Sequence, residues 1–336
     1  MPPDAAPPLL QLEAVARHFD ISASRTGPAG TLRAVDGVSF RLAAGETLGI
    51  VGESGCGKST LARVVVGLLR PSAGAVLVRG GDLWERGAAG RERRRSVQMV
   101  FQNPSGSMNP RLEVGASVGE PLRARGVRGT ADQVAHMLTL VGLQPEMALR
   151  LPHQLSGGQQ QRASIARALI AGPALVVHDE AVASLDISLQ AQILNLLLDL
   201  QDRLGTAYIF ISHDLAAVQA ISHRVAVMYL GEIVEAAAAA EFVHRPLHPY
   251  AVALRRAALL PDPVLERSRP DVVLRGDVPS PLHPPSGCRF RTRCPIAAPR
   301  CAEEKPVLRE LGDAHLVACH FPGAYDGRHH PGGGRC

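Results

Sequence analysis

A glycine-rich octapeptide near the start of the chain constrains its fold more than any other feature. Residues 52–59 read GESGCGKS and fit the pattern G-x-x-x-x-G-K-S. The apolar run 48–51 before them predicts a buried strand, and residues 59–69 predict a helix that ends before Pro71. Further apolar runs alternate with helical segments along the chain. This order predicts a parallel α/β sheet that binds its ligand at the carboxyl ends of the strands.

The loop has the chemistry of a phosphate-binding site. Its glycines allow successive backbone N–H groups to surround phosphate oxygens, and the following helix N-terminus adds partial positive charge. Lys58 would reach the terminal phosphates, and the Ser59 hydroxyl would ligate magnesium. A glycine-rich turn without a ligand is the alternative, and the flanking strand and helix argue against it. The residues predicted to bind nucleotide are Gly52, Glu53, Ser54, Gly55, Cys56, Gly57, Lys58, Ser59 and Thr60, with Cys56 contributing its backbone.

An acidic pair follows a second strand-like run. Residues 174–177 are apolar, and His178, Asp179 and Glu180 come directly after them. At the end of a strand, one carboxylate can hold magnesium while its neighbour polarises the attacking water. We predict Asp179 as the magnesium residue and Glu180 as the general base. Two solvated acidic residues are the alternative, and kinases, helicases, GTPases and recombinases share the features described so far.

The segment Leu155-Ser156-Gly157-Gly158-Gln159 narrows the choice. It resembles the LSGGQ signature of ABC ATPases, in which a serine and two glycines at a helix N-terminus close over the γ-phosphate of ATP held by the partner subunit. The resemblance implies that Ser156, Gly157, Gly158 and Gln159 contact nucleotide on a second ATPase subunit. It therefore implies that two chains pair head to tail.

Four further elements resemble the motifs of this family and follow its order. Gln102 resembles the Q-loop residue, and Ser184-Leu185-Asp186 resembles the D-loop that crosses the dimer interface. His213 resembles the switch histidine, and Phe19 resembles the aromatic residue that stacks on adenine. The resemblance thus implies catalysis by Glu180, His213 and Gln102, magnesium binding by Ser59, Gln102 and Asp179, and a D-loop role for Asp186.

Three stretches look like those of the ATP-binding subunits of oligopeptide and dipeptide importers, whose relatives also move nickel: residues 101–111, residues 186–198 and His248-Pro249-Tyr250. This resemblance implies ATP and magnesium as cofactors and a related ATPase as heterodimer partner. It also implies two membrane permeases, an extracytoplasmic substrate-binding protein and a location at the cytoplasmic face of the membrane. Ala181 and Gln160 depart from the family pattern, and neither change removes a group needed for hydrolysis. The solute, whether peptide, nickel or another, stays open.

Cysteines cluster near the C-terminus, at Cys288, Cys294, Cys301 and Cys319. Four thiolates suit a [4Fe–4S] cluster or zinc, and nearby arginines would offset their charge. The close C-x-x-C pairs usual in zinc ribbons are absent, which favours iron–sulfur, and reduced structural thiols are the remaining alternative. The segment also resembles the C-terminal extension of peptide-importer ATPases, some of which carry such a cluster. Cys336 is not predicted to be a ligand.

The length of 336 residues exceeds the ~100–200 of one ordinary domain. The predicted ABC ATP-binding domain spans residues 1–250, with a RecA-like α/β core and an inserted helical subdomain at about 104–165. A small cysteine-containing extension spans residues 251–336. No apolar window is long enough to cross a membrane, and the N-terminus lacks a signal-peptide pattern.

A soluble ABC ATPase acting on nucleic acid or the ribosome is the main alternative function. Such proteins generally carry two ATPase cassettes or a long coiled-coil insert, and this chain has one phosphate loop and no heptad run. Its 36 basic residues are interspersed with 31 acidic ones, so no nucleic-acid partner is predicted. An iron–sulfur redox enzyme that uses ATP is a second alternative, and it would need another cofactor site that the sequence lacks.

Overall fold

The computed structural model describes residues 7–22, 29–183, 185–257, 276–312 and 314–327. Cys336 and Ser184 therefore lie outside the described residues. The strands are β1 Leu10–Ile21, β2 Gly30–Leu42, β3 Thr47–Val51, β4 Ala73–Val78, β5 Gly81–Asp82, β6 Val97–Val100, β7 Leu175–Asp179, β8 Ala207–Ile211, β9 Arg224–Tyr229, β10 Glu232–Ala238, β11 Arg309–Glu310 and β12 Leu316–Val317. The helices are α1 Lys58–Val65, α2 Ala88–Arg95, α3 Pro104–Ser107, α4 Val114–Val118, α5 Glu120–Ala124, α6 Ala131–Leu140, α7 Gly157–Leu169, α8 Ile187–Leu204, α9 Leu215–Ile221, α10 Ala239–His244, α11 Pro249–Ala257 and α12 Arg300–Glu303.

A parallel sheet forms the centre of the protein. Strands β9, β3, β8, β7 and β6 lie side by side in this order, and each neighbouring pair is parallel. Strands β3, β7 and β8 are buried along their whole length because other layers pack on both faces of the sheet. The apolar runs at 48–51, 174–177 and 208–211 overlap these strands, with Ala174 just before β7, so the predicted α/β fold is confirmed.

Alternating side chains of the sheet fill two separate cores. Tyr208 and Phe210 of β8 pack with α7, α8 and α9 on one face. Ile209 and Ile211 of the same strand pack with Leu61 of α1 and with the antiparallel sheet on the other face. Successive side chains of a strand point to opposite faces of the sheet, so one apolar run contributes to the cores on both faces.

A four-stranded antiparallel sheet, in the order β2-β1-β4-β5, covers the face that α1 occupies. The sequence predicts a loop at residues 22–31 between two early strands, and the flanking strands are β1 and β2, whereas residues 23–28 lie outside the described residues. Strands β4 and β5 are not predicted. Helix α1 ends earlier than the predicted residue 69, because Gly67 adopts a left-handed φ of 76° and the N–H groups of Leu68 and Leu69 fold back onto the Arg63 carbonyl.

The helical insert lies between β6 and β7. It comprises α3 to α6, two short 3-10 helices at Pro145–Leu149 and Pro152–Gln154, and leads into α7. Val114, Val118 and Leu138 bury their side chains in the core that also contains α7. Residues 131–140, where the sequence predicted a helical patch, form α6 with the same bounds.

The C-terminal extension continues the central sheet. Strand β12 pairs with β10, and β11 pairs with β12, all antiparallel. Beneath them, the fully buried Glu235 accepts hydrogen bonds from the backbone N–H groups of Leu247 and His248 and contacts His315 Nε2 at 2.8 Å. Within the described part of the chain, no helix is long and apolar enough to cross a membrane. The domain boundary at residue 250 stays a prediction.

Candidate active site

The glycine-rich loop joins β3 to α1 and borders a cavity of about 360 Å³. Gly57 adopts a left-handed φ of 105°, and a Cβ there would lie 2.0 Å from the Ala34 carbonyl oxygen, so only glycine fits. Six of the nine residues predicted to bind nucleotide line this cavity. The lining consists of Leu32, Ala34, Ser54, Gly55, Gly57, Lys58, Ser59, Thr60, Gln102, Glu180 and Pro281.

The other three predicted loop residues, Gly52, Glu53 and Cys56, do not line the cavity. The Cys56 side chain is buried in the core beside α1, and burial raises the pKa of its thiol. Lys58 Nζ donates to the carbonyl oxygens of Gly52 at 2.7 Å and Glu53 at 3.0 Å. The carboxylate of Glu53 pairs with Arg293 of the extension. Gly52 and Glu53 thus contact the lysine through their carbonyl groups, whereas the loop residues that line the cavity come after them.

The acidic pair lies at the carboxyl end of β7, beside the loop. Ser59 Oγ donates to Asp179 Oδ1 at 3.0 Å, which places a hydroxyl and a carboxylate together at the base of α1. Burial raises the pKa of Asp179, and the bond from Ser59 opposes that rise. These oxygen donors are of the type that magnesium prefers, so the residues present fit the predicted ion.

Three predicted catalytic residues meet at Glu180. Its Oε2 accepts a hydrogen bond from Gln102 Nε2 at 2.9 Å, and its Oε1 lies 3.8 Å from Nδ1 of the exposed His213. Its backbone has a left-handed φ of 50°, a conformation that costs a non-glycine residue about 1–3 kcal/mol. The Glu180 N–H donates to the carbonyl of Ile211 at 2.9 Å, which holds this turn against β8.

The signature segment lies on a different surface from the cavity of its own chain. Ser156 caps α7, with its side chain accepting from the Gln159 N–H and its own N–H donating to Gln159 Oε1 at 2.9 Å. Ser156 and Gly157 are exposed. A Cβ on Gly158 would lie 2.7 Å from Leu189 of α8, so this position needs glycine for close packing.

The predicted D-loop residue lies next to this signature helix. Asp186 caps α8 by accepting a hydrogen bond from the Leu189 N–H at 2.9 Å. The next residue, Ile187, has 87% of its surface exposed. The N-termini of α7 and α8 therefore form one exposed face that carries a large unpaired apolar side chain.

Phe19 lies at the edge of the cavity region. In the register of β1 and β2 it is opposite Leu32, which lines the cavity. The guanidinium of Arg17 lies 4.5 Å from the centroid of the Phe19 ring and covers one face of it. Stacking on adenine stays a prediction for Phe19.

Two contacts of the loop were missed by sequence reasoning. Arg293 was interpreted only as a charge partner for cysteine thiolates, yet it forms an ion pair with Glu53. The hydroxyl of Tyr250 accepts a hydrogen bond from the Glu53 N–H at 2.8 Å. His-Pro-Tyr had been noticed only as a subfamily marker, and no local pattern links either residue to the loop.

The four cysteines of the extension lie near one another and are free of disulfides. The Cys288 N–H donates to the Cys301 carbonyl at 2.8 Å, and the Phe321 N–H donates to Cys319 Sγ at 3.3 Å. Burial raises the pKa of Cys288 to about 11 and that of Cys294 to about 12. Among the described residues, no three His, Cys, Asp or Glu side chains are placed to hold one metal ion.

Comparisons with known proteins agree with this arrangement. Residues 35–183 match the family "ABC transporter", and residues 234–301 match "Oligopeptide/dipeptide transporter, C-terminal region". Among solved structures, the ATP-binding cassette MJ0796, a dimer in a post-hydrolysis state bound to ADP and phosphate, gives a TM-score of 0.61 at 26% identity. That match covers 68% of this chain and 98% of the cassette.

Curated relatives match over nearly the whole chain. The oligopeptide transport ATP-binding protein OppF of Salmonella typhimurium is 50% identical over 93% of this chain and 95% of its own length. OppF of Escherichia coli is 48% identical over the same shares of each chain. The oligopeptide transport ATP-binding protein AppF of Bacillus subtilis is 44% identical over 93% of this chain and 97% of its own. The chain therefore belongs to the ABC transporter ATP-binding proteins of the oligopeptide transport type.

Proposed function

We propose that this protein hydrolyses ATP to drive the import of peptides through a membrane transporter. The observation that carries the proposal is the gathering of Lys58, Ser59, Asp179, Glu180 and Gln102 around one cavity at the carboxyl ends of parallel strands. Relatives named as oligopeptide transport ATP-binding proteins support the choice of solute. Those names also argue against a nucleic-acid or ribosomal target.

The side chains divide the proposed reaction among them. Lys58 and the loop N–H groups bind the phosphates of ATP. Ser59, Asp179 and Gln102 would hold magnesium, which neutralises phosphate charge when bound. Glu180 orients the attacking water and accepts its proton, and His213 contacts the γ-phosphate from the neighbouring strand end.

A second ATPase subunit completes the proposed site. The exposed N-terminus of α7 has backbone N–H groups and partial positive charge to offer, yet it lies outside the cavity of its own chain. Head-to-tail pairing would bring Ser156, Gly157, Gly158 and Gln159 of each subunit onto ATP bound by the other. We propose that the second subunit is a related chain, so that the active unit is a heterodimer.

The transporter would contain further subunits. We propose that the ATPase pair docks on two membrane permeases at the cytoplasmic face of the membrane, and that an extracytoplasmic binding protein delivers the peptide. ATP closes the pair and hydrolysis reopens it, which supplies a two-state element able to bias the permeases.

Transport by the assembled complex tests this proposal. The full chain is co-expressed with candidate permeases and a candidate ATPase partner, purified, reconstituted in vesicles with a binding protein, and given a labelled short peptide. We expect ATP-dependent peptide uptake, and Lys58→Ala should abolish it because the phosphates lose their only loop cation. Lys305→Ala, which removes an exposed lysine paired with Glu232, is the control. ATPase activity stimulated by nucleic acid or ribosomes, without peptide uptake, would contradict the proposal.

We also propose that Cys288, Cys294, Cys301 and Cys319 hold a [4Fe–4S] cluster. The support is that the four thiols lie in one neighbourhood and that backbone N–H groups are directed at three of the sulfurs, as around a thiolate-bound cluster. Binding would draw the sulfurs closer together, since in the described residues no three such side chains are placed to hold one metal ion. Such a group would serve to fix the fold of the extension, and no step of ATP hydrolysis passes through it.

Metal analysis after anaerobic purification tests the cluster. We expect about four iron atoms and equal sulfide per chain, with a broad absorption band in the visible region, as a [4Fe–4S] cluster requires. Cys288→Ser should lose most of this iron, whereas Cys336→Ser should keep it. Stoichiometric zinc, or four titratable thiols without metal, would show that the proposal is wrong.

A further inference from the structure

The C-terminal extension contacts the phosphate loop through a partly buried ion pair. Arg293 Nη1 lies 2.7 Å from Glu53 Oε2, and Arg293 Nη2 lies 3.1 Å from Glu53 Oε1. The Arg293 side chain is 8% exposed and that of Glu53 is 27% exposed. A two-point contact of this kind fixes the direction of both side chains and is far less screened than a surface pair.

Glu53 passes this constraint to the rest of the loop. Its N–H donates to Tyr250 Oη at 2.8 Å, and its carbonyl accepts from Lys58 Nζ at 3.0 Å. One residue therefore joins the extension, helix α11 and the lysine that faces the cavity. Its carboxylate does not line the cavity, so it acts on the position of the loop.

The base of this contact is rigid. Phe290 packs against both Tyr229 and Tyr250, with ring centroids 5.2 and 5.4 Å away, and the two tyrosine rings lie 4.8 Å from each other. Arg289 donates to Asp36 and to the Leu230 carbonyl, and its Nε lies 2.9 Å from Glu232. Arg293 is thus held by a segment that is itself locked onto the core, which allows it to position what it touches.

A second part of the extension reaches the same cavity. Pro281 lines it, and the Pro281 carbonyl accepts a hydrogen bond from the Arg33 N–H at 3.4 Å. The extension therefore contacts the phosphate loop at Glu53 and lines the cavity at Pro281. This contact is independent of the Arg293–Glu53 pair, and it too links the extension to the nucleotide site.

We propose that Arg293 is a positioning residue of the ATP site, which holds the phosphate loop in its binding conformation through Glu53. The inference rests on the proposed ATPase function and adds to it a role for the extension in nucleotide affinity. Glu180, Gln102 and His213 follow other strands, so loss of Arg293 changes ATP binding more than the chemical step.

Equilibrium ATP binding and steady-state kinetics of the full chain in its transporter test the proposal. Arg293→Ala should raise the Kd and KM for ATP about tenfold, because Glu53 stays partly buried without its partner, and kcat at saturating ATP should change by less than about threefold. Arg293→Lys should recover part of the affinity, since an ammonium keeps the charge but not the two-point contact. Arg291→Ala is the matched control, because the Arg291 side chain donates to Ser286 in the same segment and not to the phosphate loop, among the described residues.

A partner variant covers the case in which Arg293→Ala fails to fold. Glu53→Gln keeps the size of the side chain and should raise the Kd in the same direction, and the double variant should be no worse than the more affected single one. Equal Kd values for Arg293→Ala and Arg291→Ala in folded protein would overturn the inference, as would a fall in kcat with KM unchanged. A wild-type protein that binds no ATP would instead sink the proposed ATPase function.

Discussion

Glu180→Gln should lower kcat for ATP hydrolysis at least about a hundredfold while ATP still binds, because an amide cannot accept the proton of the attacking water. The substitution keeps the size of the side chain, and Gln102 can still donate to its oxygen. Phosphate release by the assembled transporter gives kcat, and equilibrium binding of ATP gives the Kd.

A distant glutamate gives the control for this substitution. Glu310 is exposed on β11, at the opposite edge of the central sheet from β7. Glu310→Gln should therefore leave both kcat and Kd unchanged. Hydrolysis by Glu180→Gln at the wild-type rate would remove Glu180 from the role of general base.

Ser156→Arg should also abolish most hydrolysis, by a different route. A bulky cation at the exposed start of α7 blocks close approach of the partner's nucleotide and opposes the partial positive charge of the helix end. ATP binding by the single chain should persist, because Ser156 does not line its own cavity. The expected fall in kcat is at least about a hundredfold, with loss of one cap costing only about 1 kcal/mol of stability.

ATP-dependent pairing of the subunits separates this effect from simple unfolding. With Glu180→Gln in both ATPase subunits, ATP should trap a closed pair that elutes early in size-exclusion chromatography, and Ser156→Arg should prevent it. Asp202→Arg, near the other end of α8, introduces an equally bulky cation and should leave pairing intact. If Ser156→Arg still forms the closed pair with ATP, then ATP does not lie between the phosphate loop of one subunit and the Ser156 segment of the other.

The central layer of the fold follows from the sequence because its strands are buried on both faces. Such strands appear as short continuous apolar runs, and β3, β7 and β8 all matched one. The amphipathic segment 188–204, which stands before Gly205, predicts a helix that ends at this glycine, and α8 does end there, with Gly205 at a left-handed φ of 65°. Strands β5, β11 and β12 have two residues each, too few to show any periodicity.

The candidate site also contains residues that the sequence predicts and contacts that it does not predict. Lys58, Asp179 and Glu180 lie in local motifs, so the sequence predicts them as site residues, and the structure places them near one another. The pair between Arg293 and Glu53 joins residues 240 positions apart, and neither has a local pattern that names the other. Contacts of this kind depend on how the finished layers pack, which no window of sequence contains.

The packing of Phe290 against Tyr229 and Tyr250 has a practical consequence for protein engineering. A chain cut after the last residue of α11 would lose this ring and expose two tyrosines of the core, together with the open edge of β10. Swapping the tail for that of a relative would require the donor to bring an equivalent aromatic and a cation for Glu53. The ATP-binding half of this protein should therefore be exchanged or truncated only as a unit with its tail.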